Sequence, residues 1–393
     1  MTQQPNDNSQ EKNISSKEDG IITEEKNSNS EELNFFLGGH SHSHKRKSKR
    51  RNKKRKKALS IILISIATII AILLGTFFAL FLSGKNQLVN HKDTVIDFSQ
   101  VEEDIIASEE DGKSITYKGE EYVYNDDVTT ILCMGIDKTE DLGGSYGKNG
   151  QADAIILLTI DPKSGKTNVI PINRDTMVYS KLYSSSGNFI KTEKQQICLV
   201  FANGDGEEKS CKNMKDSVSS MLYGIPIDSY IAIDLNAIGP LNQAVGGVTV
   251  KSPETFTIGK TTFNKGESYY LGDGKTATAF VQWRDKSKLD SNATRMARQK
   301  VYLSAFAKAA INKTKQDIKF PLSLYNSVSK YNTNDLSASK ITYLTSKVML
   351  GNDIKLNFLE LKGKTTKGEK YAEFTPDRDA LLDLVIKVFY TKK

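Results

Sequence analysis

Charged side chains stand at the ends of three apolar, strand-like runs, where they could form one site. The run TTILCMGID ends at Asp137, and the run ADAIILLTI carries Asp153 at its second position. The run TNVIPINRD ends at Arg174 and Asp175. A lone Arg-Asp pair after a strand is most often an exposed ion pair that contributes little to stability. Two carboxylates and an arginine at one end of a sheet would instead form a site for charged ligands, although the position of Asp137 also depends on the long loop after it.

The connection between the second and third runs determines whether these charges meet. The five residues DPKSG, 161–165, separate two apolar runs and contain Pro and Gly, a pattern that predicts a β-hairpin turn. If Ile160 pairs near the start of the next run, the antiparallel register places Asp153 beside Asn173 or Arg174. The sequence therefore predicts that a carboxylate and a guanidinium are neighbours at the open end of this hairpin.

A second group of polar side chains follows a helical pattern. The helix is predicted from Thr294, with Asn292 or Thr294 as its N-cap. Positions i, i+3, i+4 and i+7 share one face, and they carry Arg295, Arg298, Gln299 and Tyr302. Such a face is most often a solvated surface. Arginines near a helix N-terminus also suit phosphate, because each guanidinium can bind two oxygens, and Arg284 just upstream adds a third guanidinium.

Histidine is missing from the part of the chain that holds these charges. The last of the four histidines is His91. Residues 92–393 therefore cannot form a Ser-His-Asp triad, a Cys-His pair or a histidine-ligated zinc site. Any catalysis there must use carboxylates, arginines, hydroxyls or a hard metal ion.

One segment has the length and composition of a membrane span. Residues 58–84 carry no charge, and as a helix they are long enough to cross a hydrocarbon core of about 30 Å. The block KRKSKRRNKKRKK, 45–57, places eleven basic residues directly before this segment. Such a block alone could be a nucleic-acid patch, but the apolar segment favours a single-pass anchor. Because basic residues stay on the cytoplasmic side, we expect a cytoplasmic N-terminus, with residues 85–393 outside.

Composition divides the rest of the chain. Residues 1–57 form a polar tail that ends in the basic block, and we expect this tail to be disordered. Residues 85–113 are acidic and polar, which favours a membrane-proximal stalk. A small hairpin is predicted over residues 115–125. From residue 114 to 393, short apolar runs alternate with helical segments, and this pattern predicts one large α/β domain.

The three cysteines all follow the apolar segment. Cys133 lies within an apolar run and is expected to be a small buried hydrophobe. Cys198 and Cys211 flank the turn-rich segment LVFANGDGEEKS. In a compartment outside the cytoplasm, we predict a disulfide between these two cysteines that would clamp a loop.

Taken in order, the motifs resemble the LytR-CpsA-Psr proteins of bacterial cell envelopes. The resemblance covers roughly residues 115–393. It is carried by ILCMGID, QADAIILLTIDPKSGK, VIPINRDT, MLYGIPIDSY, LNQAVGGVTV and AFVQWRDKSKLDSNATRMARQK. The resemblance implies a mixed, partly antiparallel central sheet flanked by helices, with an apolar pocket for a lipid. One membrane span followed by one extracytoplasmic domain also fits this family.

The same resemblance implies a phosphotransferase that moves a glycopolymer from a polyprenyl-diphosphate carrier onto peptidoglycan. Its magnesium carboxylates carry over onto Asp137 and Asp153. Its diphosphate-binding and helix-motif residues carry over onto Arg174, Arg284, Arg295, Arg298 and Gln299. Catalysis would fall to Asp153, Arg174 and Arg284, since charge neutralisation and positioning suffice when the donor is already an activated diphosphate.

Two positions depart from the family pattern, and two other functions stay open. Gln151 and Gln282 stand where many members have Arg, so the site is less basic unless Lys148 and Lys288 compensate. The alternatives are a membrane-anchored envelope regulator and a non-catalytic module that binds the lipid carrier. Transfer from a lipid-linked donor in vitro distinguishes the enzyme from both.

Overall fold

The computed structural model describes residues 44–393, except residues 90, 92–93, 102–104, 108–110, 139–148, 162–163, 286, 289–290, 351–355 and 370. The predicted disordered tail lies outside the described residues as far as residue 43. The basic block is helical, in contrast to the expectation for it, because the first helix already begins at His44. The chain divides into two units, residues 1–68 and 69–393.

Helices and short strands alternate along the folded part of the chain. The helices are α1 (His44–Leu88), α2 (Ile197–Ala202), α3 (Glu208–Met221), α4 (Ile238–Val245), α5 (Gly274–Gln282), α6 (Ser291–Gln316), α7 (Phe320–Ser327), α8 (Ala338–Leu350) and α9 (Arg378–Phe389). The strands are β1 (Ile105–Ala107), β2 (Ser114–Tyr117), β3 (Glu120–Tyr124), β4 (Thr129–Ile136), β5 (Ala152–Ile160), β6 (Thr167–Ile172), β7 (Met177–Tyr183), β8 (Phe189–Gln196), β9 (Ser229–Asp234), β10 (Val248–Lys251), β11 (Phe256–Ile258), β12 (Thr261–Phe263), β13 (Ser268–Leu271), β14 (Asn332–Asn334), β15 (Leu356–Phe358), β16 (Gly363–Lys367), β17 (Ala372–Pro376) and β18 (Tyr390–Lys392).

The central sheet is mixed, as predicted. Its strand order is β14-β9-β4-β5-β6-β15. Strand β4 pairs antiparallel with β5 and parallel with β9, while β15 adds in parallel to β6. Buried residues alternate with partly exposed ones along β5, and β4 and β6 are mostly buried. Both faces of the sheet are therefore covered.

The β5–β6 hairpin confirms the predicted register. Ile160 pairs with Thr167 and Ile155 pairs with Ile172. Extending this antiparallel pairing by two residues brings Asp153 opposite Arg174. A β-bulge between Gly135 and Ile136 shifts the pairing of β4 with β5 at the same end of the sheet. Bulges of this kind redirect side chains next to functional sites.

The segment predicted to be a stalk belongs instead to the folded domain. Ile96, Phe98, Val101 and Ile105 are buried in the main core with residues of α3, α9 and the central sheet. Strand β1 pairs with β2, and β18 pairs with β3, so both ends of the domain enter one small sheet. The predicted hairpin over 115–125 is confirmed as β2–β3. The apolar residues among the acidic ones account for the difference, since they alternate in burial like those of a folded strand segment.

A second core lies under the face of α6. Its buried members come from β10–β13, α5 and the end of α4, and they are packed against Val301, Ala305, Phe306 and Ala309 of α6. The other face of α6 turns toward the central sheet, where Met296 and Leu303 lie beside residues of β5 and β6. Helix α6 therefore joins the two cores, and its N-terminal turns stand at the end of the β5–β6 hairpin.

Candidate active site

An ion-pair cluster centred on Asp153 lies at the end of the β5–β6 hairpin. Each carboxylate oxygen of Asp153 accepts a hydrogen bond from a different arginine. Arg174 donates through Nη1 to Oδ1, and Arg295 donates through Nη1 to Oδ2 over 2.8 Å. Only 13% of the Arg174 side chain and 4% of the Arg295 side chain are exposed. Because so little water reaches these groups, their charges interact more strongly than surface charges do, and Arg174 is not part of an exposed ion pair.

Three neighbours hold the guanidinium of Arg174. Its Nη2 donates to Oε1 of Gln151 and lies 3.1 Å from Sγ of Cys198. Its Nε lies 3.7 Å from Oδ1 of Asp175. The acceptor oxygen of Gln151 binds Arg174, whereas an arginine at this position would repel it. Gln151 therefore has a structural role in this chain, which is to help hold the guanidinium of Arg174 in place.

A pair of side-chain amides ties α6 to the end of β6. Nδ2 of Asn292 donates to Oδ1 of Asn173 over 2.6 Å, and Oδ1 of Asn292 accepts from Nη2 of Arg295 over 2.7 Å. The helix begins at Ser291, so the prediction that Asn292 or Thr294 caps it is wrong. Asn292 lies in the first turn, where its amide aligns Arg295 with the hairpin.

Asp137 and Arg284 face the cluster across an open cavity of about 420 Å³. Asp137 follows β4 and is exposed, and its backbone N–H donates to the carbonyl oxygen of Gln151 over 2.9 Å. Arg284 lies two residues past the end of α5. The charged residues that line this cavity are Asp137, Asp153, Arg174, Arg284 and Arg295. The structure thus brings together the two predicted carboxylates and three of the predicted arginines.

A second cavity, of about 170 Å³, adjoins the first and has a mostly apolar lining. Ile238 of α4 and Leu303 of α6 contribute to its walls. Asp153, Gln282 and Arg295 line both cavities. The combined space therefore has a charged end and an apolar end, and it suits a ligand that carries an anionic group next to a hydrocarbon chain.

Arg298 lies inside the second core, away from the charged cavity. Its side chain is fully buried. Its Nε donates to the carbonyl oxygen of Phe280 over 3.0 Å, Nη2 donates to the carbonyl oxygen of Trp283, and Nη1 donates to Oε1 of Glu254. Because all three nitrogens donate within the protein, we interpret Arg298 as a positioning residue. It fixes the carbonyl group of Trp283 and thereby the backbone position of the next residue, Arg284.

The remaining members of the predicted helix face are also covered. Gln299 and Tyr302 line the apolar cavity, and the hydroxyl of Tyr302 donates to Oδ1 of Asn242 over 3.2 Å. Burial raises the pKa of the Tyr302 hydroxyl, so this group stays neutral. The face that sequence alone would most often place in solvent is therefore an internal surface between two cores.

Asp175 links the site to the second half of the domain. Its Oδ1 accepts from Nε2 of Gln196 over 3.1 Å, and its carbonyl oxygen accepts the N–H of Phe374 in β17 over 2.8 Å. Burial raises the pKa of the Asp175 carboxyl, while Arg174 nearby opposes this shift. These contacts fix the chain directly after Arg174, so Asp175 acts as an anchor of the strand end.

The carboxylates fit a divalent cation only together with a ligand. Within the residues that the structure describes, no three His, Cys, Asp or Glu side chains cluster to hold a metal ion. Asp137 and Asp153 nevertheless line the same cavity, and each carboxylate has more lone pairs than its present partners use. Magnesium is usually bound by one or two carboxylates together with water and substrate phosphates. The donor set therefore fits Mg²⁺ that enters with a phosphorylated substrate.

The predicted disulfide between Cys198 and Cys211 is wrong, because both are free cysteines. The segment between them is not an open loop, since α2 and α3 occupy most of it. Cys198 is buried beside Arg174, and Cys211 is buried in the main core. Burial raises the pKa of both thiols, so neither is a reactive thiolate in the folded protein.

We expect thiol labelling to report these free cysteines. Protein unfolded without reductant should take up iodoacetamide at Cys198 and Cys211 to the same extent as a reduced sample, because no bond must be broken first. Peptide mass spectrometry measures this uptake, and Cys133 serves as the internal control. If Cys198 and Cys211 were labelled only after reduction, the two cysteines would be joined by a disulfide after all.

Sequence reasoning missed the roles of several residues that build the site. Gln151, Cys198 and Asn173 contact Arg174 or the neighbouring loop, and Glu254 pairs with Arg298. Glu254 lies 44 residues before its partner, with no shared periodicity. Gln151 alone had a signal, since it directly precedes the strand that carries Asp153.

Comparison with known proteins gives relatives over most of the domain. TagU of Bacillus subtilis, named a polyisoprenyl-teichoic acid–peptidoglycan teichoic acid transferase, is 27% identical over 57% of this chain and 62% of its own length. TagU of Oceanobacillus iheyensis is 26% identical over 62% of this chain and 71% of its own length. The chain thus spans less than two thirds of the first of these relatives.

Solved structures and a family model agree on the fold. The crystal structure of B. subtilis TagV matches with a TM-score of 0.51 and 22% identity, over 67% of this chain and 96% of that chain. A Streptococcus agalactiae protein matches with a TM-score of 0.54 and 21% identity, over 67% of this chain and 86% of that chain. The model of the LytR_cpsA_psr family matches residues 79–386. Because this match covers most of the chain and the whole charged cavity, the protein belongs to the LytR-CpsA-Psr family.

Proposed function

We propose that this protein transfers a glycopolymer from a polyprenyl-diphosphate carrier to a hydroxyl group of peptidoglycan. The observation that carries the proposal is the joint cavity with Arg174, Arg284 and Arg295 at one end and an apolar lining at the other. A lipid diphosphate has the same division into charged and apolar parts. The names of the TagU relatives support this substrate class.

In this proposal, the arginines bind the diphosphate and the apolar cavity receives the first part of the lipid. Arg174 and Arg295 are held on Asp153, so their positions are fixed before the donor binds. The Nε atoms of both arginines have no hydrogen-bond acceptor among the described residues. A buried donor without an acceptor costs free energy, and a diphosphate oxygen close to these guanidinium groups would reduce this cost.

The reaction then needs no side-chain nucleophile. A peptidoglycan hydroxyl attacks the phosphorus that carries the sugar, and a new P–O bond forms. The bond to the second phosphate breaks, so that polyprenyl phosphate leaves with the electron pair. Arg174 and Arg284 stabilise the negative charge that builds up on the leaving phosphate. The hydroxyl proton passes to a carboxylate of the cavity or to water. Asp137 and Asp153 would hold Mg²⁺ at this cavity, and the ion would supply further charge neutralisation when bound.

Transfer in vitro tests the proposal. Full-length protein, a labelled lipid-linked donor and peptidoglycan fragments should give a labelled phosphodiester product and free polyprenyl phosphate. We expect EDTA to lower the rate, and Asp153→Asn to lower both the rate and the dependence on Mg²⁺. Donor binding without any transfer would instead identify a lipid-carrier binding module. A rate that EDTA leaves unchanged would remove the metal from the proposal.

We further propose that residues 85–393 face the cell wall, with the N-terminus in the cytoplasm. The structure contains one helical segment, Lys53–Leu88, that is long and apolar enough to cross a membrane among the residues it describes. The eleven basic residues of 45–57 precede its apolar part and set the orientation.

A pair of reporter fusions should reveal this orientation. Alkaline phosphatase, which folds only outside the cytoplasm, should be active when joined through a flexible linker after Lys393 and inactive when joined at residue 40. Enzyme activity per amount of fusion protein is the measurement. The reverse pattern would place the domain away from its acceptor.

A further inference from the structure

The end of α1 is packed against the folded domain. Phe81, Gly84 and Leu88 lie on one face of α1, and this face is covered while the neighbouring residues are exposed. Leu88 is fully buried, and its carbonyl oxygen lies 3.4 Å from the hydroxyl of Thr129 in β4. The domain therefore begins directly at the end of this helix, without a spacer.

Helix α8 contacts this face of α1 at a few positions. The hydroxyl of Ser337, just before α8, donates to Oε1 of Gln87 over 3.0 Å. Further along α8, the ring of Tyr343 lies 5.3 Å from the ring of Phe81. Later residues of α8 therefore contact earlier residues of α1, which lie closer to the middle of the apolar segment.

Close contact at Gly84 makes this packing specific. A Cβ atom on Gly84 would overlap the carbonyl oxygen of Ser339 and lie 2.9 Å from Cβ of Tyr343. At Gly75, earlier in the same helix, a Cβ atom would meet no other atom within 4 Å. Glycine at position 84 therefore allows two helix backbones to approach each other, whereas Gly75 has no such role in the described structure.

The level of the contact relates α8 to the membrane. Phe77, Phe78, Leu80 and Leu82 of α1 are exposed and apolar, which is how a span presents itself to lipid. The ammonium group of Lys347 lies 6.0 Å from the ring centre of Phe81. A lysine beside the end of an apolar helix matches the boundary between headgroups and acyl chains, where lysine side chains extend their ammonium groups to water.

We propose that the part of α8 from Tyr343 to Lys347 lies in the headgroup region of the leaflet next to the domain. The molecules beside this part of α8 are phospholipids, since Lys347 lies next to Phe81 of the span and complements anionic headgroups. The proposal rests on the membrane span of the proposed function. Because α8 also packs against α6, which carries Arg295, this contact fixes the height of the charged cavity above the bilayer.

Depth-dependent fluorescence quenching tests the location of α8. Full-length protein carrying Thr345→Cys is labelled with an environment-sensitive fluorophore and reconstituted into phosphatidylcholine–phosphatidylglycerol vesicles. Nitroxide groups on the lipid headgroups should quench this label at least about twofold. A label at Tyr371→Cys, whose side chain is 70% exposed on the β16–β17 hairpin, should not respond. The chain without added cysteines gives the background.

A label at Ile70→Cys distinguishes a failure of the α8 proposal from a failure of the membrane span on which it rests. Mid-chain nitroxides should quench a label at residue 70, because it lies within the span. Quenching at residue 70 with none at residue 345 would overturn the location of α8 and leave the span intact. An unquenched label at residue 70 would overturn the span and the location of α8 together, while transfer from a water-soluble donor would still test the chemistry.

A matched pair of glycine substitutions tests the consequence for the reaction. Gly84→Val should separate α1 from α8 and lower transfer from a long-chain donor in vesicles about tenfold or more, with an unchanged rate on a short-chain, water-soluble donor. Gly75→Val should leave both rates unchanged. Equal rates for the two variants on the long-chain donor would show that the α1–α8 contact does not position the site.

Discussion

Arg174→Lys should lose most transfer activity while the protein stays folded. Lysine keeps the positive charge near Asp153 but has no planar fork, so it cannot contact Asp153 and Gln151 together as Arg174 does. Losing one preorganised donor at a site of developing charge typically lowers the rate by about 10²–10³. Initial rates with the labelled lipid-linked donor measure this loss, and thermal unfolding should show a Tm within a few degrees of the unchanged protein.

The control for this substitution is Arg378→Lys. Arg378 is an exposed arginine at the start of α9, 3.5 Å from Asp379, and an exposed ion pair contributes only about 0–1 kcal/mol. This variant should therefore keep both its activity and its Tm. If Arg174→Lys transferred the glycopolymer as fast as this control, Arg174 would have no role in binding the diphosphate.

Arg298→Met should destabilise the domain and also lower its activity. The guanidinium of Arg298 lies 4.6 Å from the ring centre of Phe256 and 5.1 Å from that of Trp283. Its loss leaves Glu254 and two carbonyl oxygens without their donor. Removing one partner of a buried ion pair costs about 3–5 kcal/mol. Because the Glu254 side chain is 26% exposed, we expect a cost of about 3 kcal/mol, or a fall in Tm of roughly 4–6 °C for a domain of this size.

The control is Lys308→Met, which also replaces a cationic side chain by Met, but at an exposed position of the same helix. Its Tm should change by no more than a degree or two, since exposed substitutions usually alter stability by less than about 0.5 kcal/mol. Scanning calorimetry compares the two variants directly. A stable Arg298→Met protein that had lost only its affinity for the donor would assign Arg298 to substrate binding instead.

The parts of the site that the sequence predicted are those set by local pairing. The Pro-Gly turn and the alternating residues of 152–160 determine the register, and the register alone brings Asp153 to Arg174. The helical spacing likewise placed Arg295, Arg298, Gln299 and Tyr302 on one face. Spacing could not say what covers this face, because that depends on the second core, whose strands lie well before α6 in the chain.

The wrong predictions about the cysteines and the stalk share one cause, which is that composition was used where packing decides. Polar residues around Cys198 and Cys211 suggested a loop. The segment instead forms α2 and α3, which bury Cys198 beside Arg174 and Cys211 in the main core. Acidic residues of 85–113 suggested a stalk, yet Ile96, Phe98 and Ile105 are core residues. A few well-spaced apolar side chains are enough to fold a polar segment when a sheet is available to receive them.

The pairing of β18 with β3 has a consequence for biogenesis. Tyr390–Lys392 close the small sheet that β1–β3 begin, and Phe389 and Tyr390 complete the main core. In the proposed orientation, the N-terminal strands leave the translocation channel first and wait for the C-terminus. The domain can therefore finish folding only after residues 390–392 have been exported. A polypeptide cut short before residue 390 would leave β3 as an unpaired sheet edge.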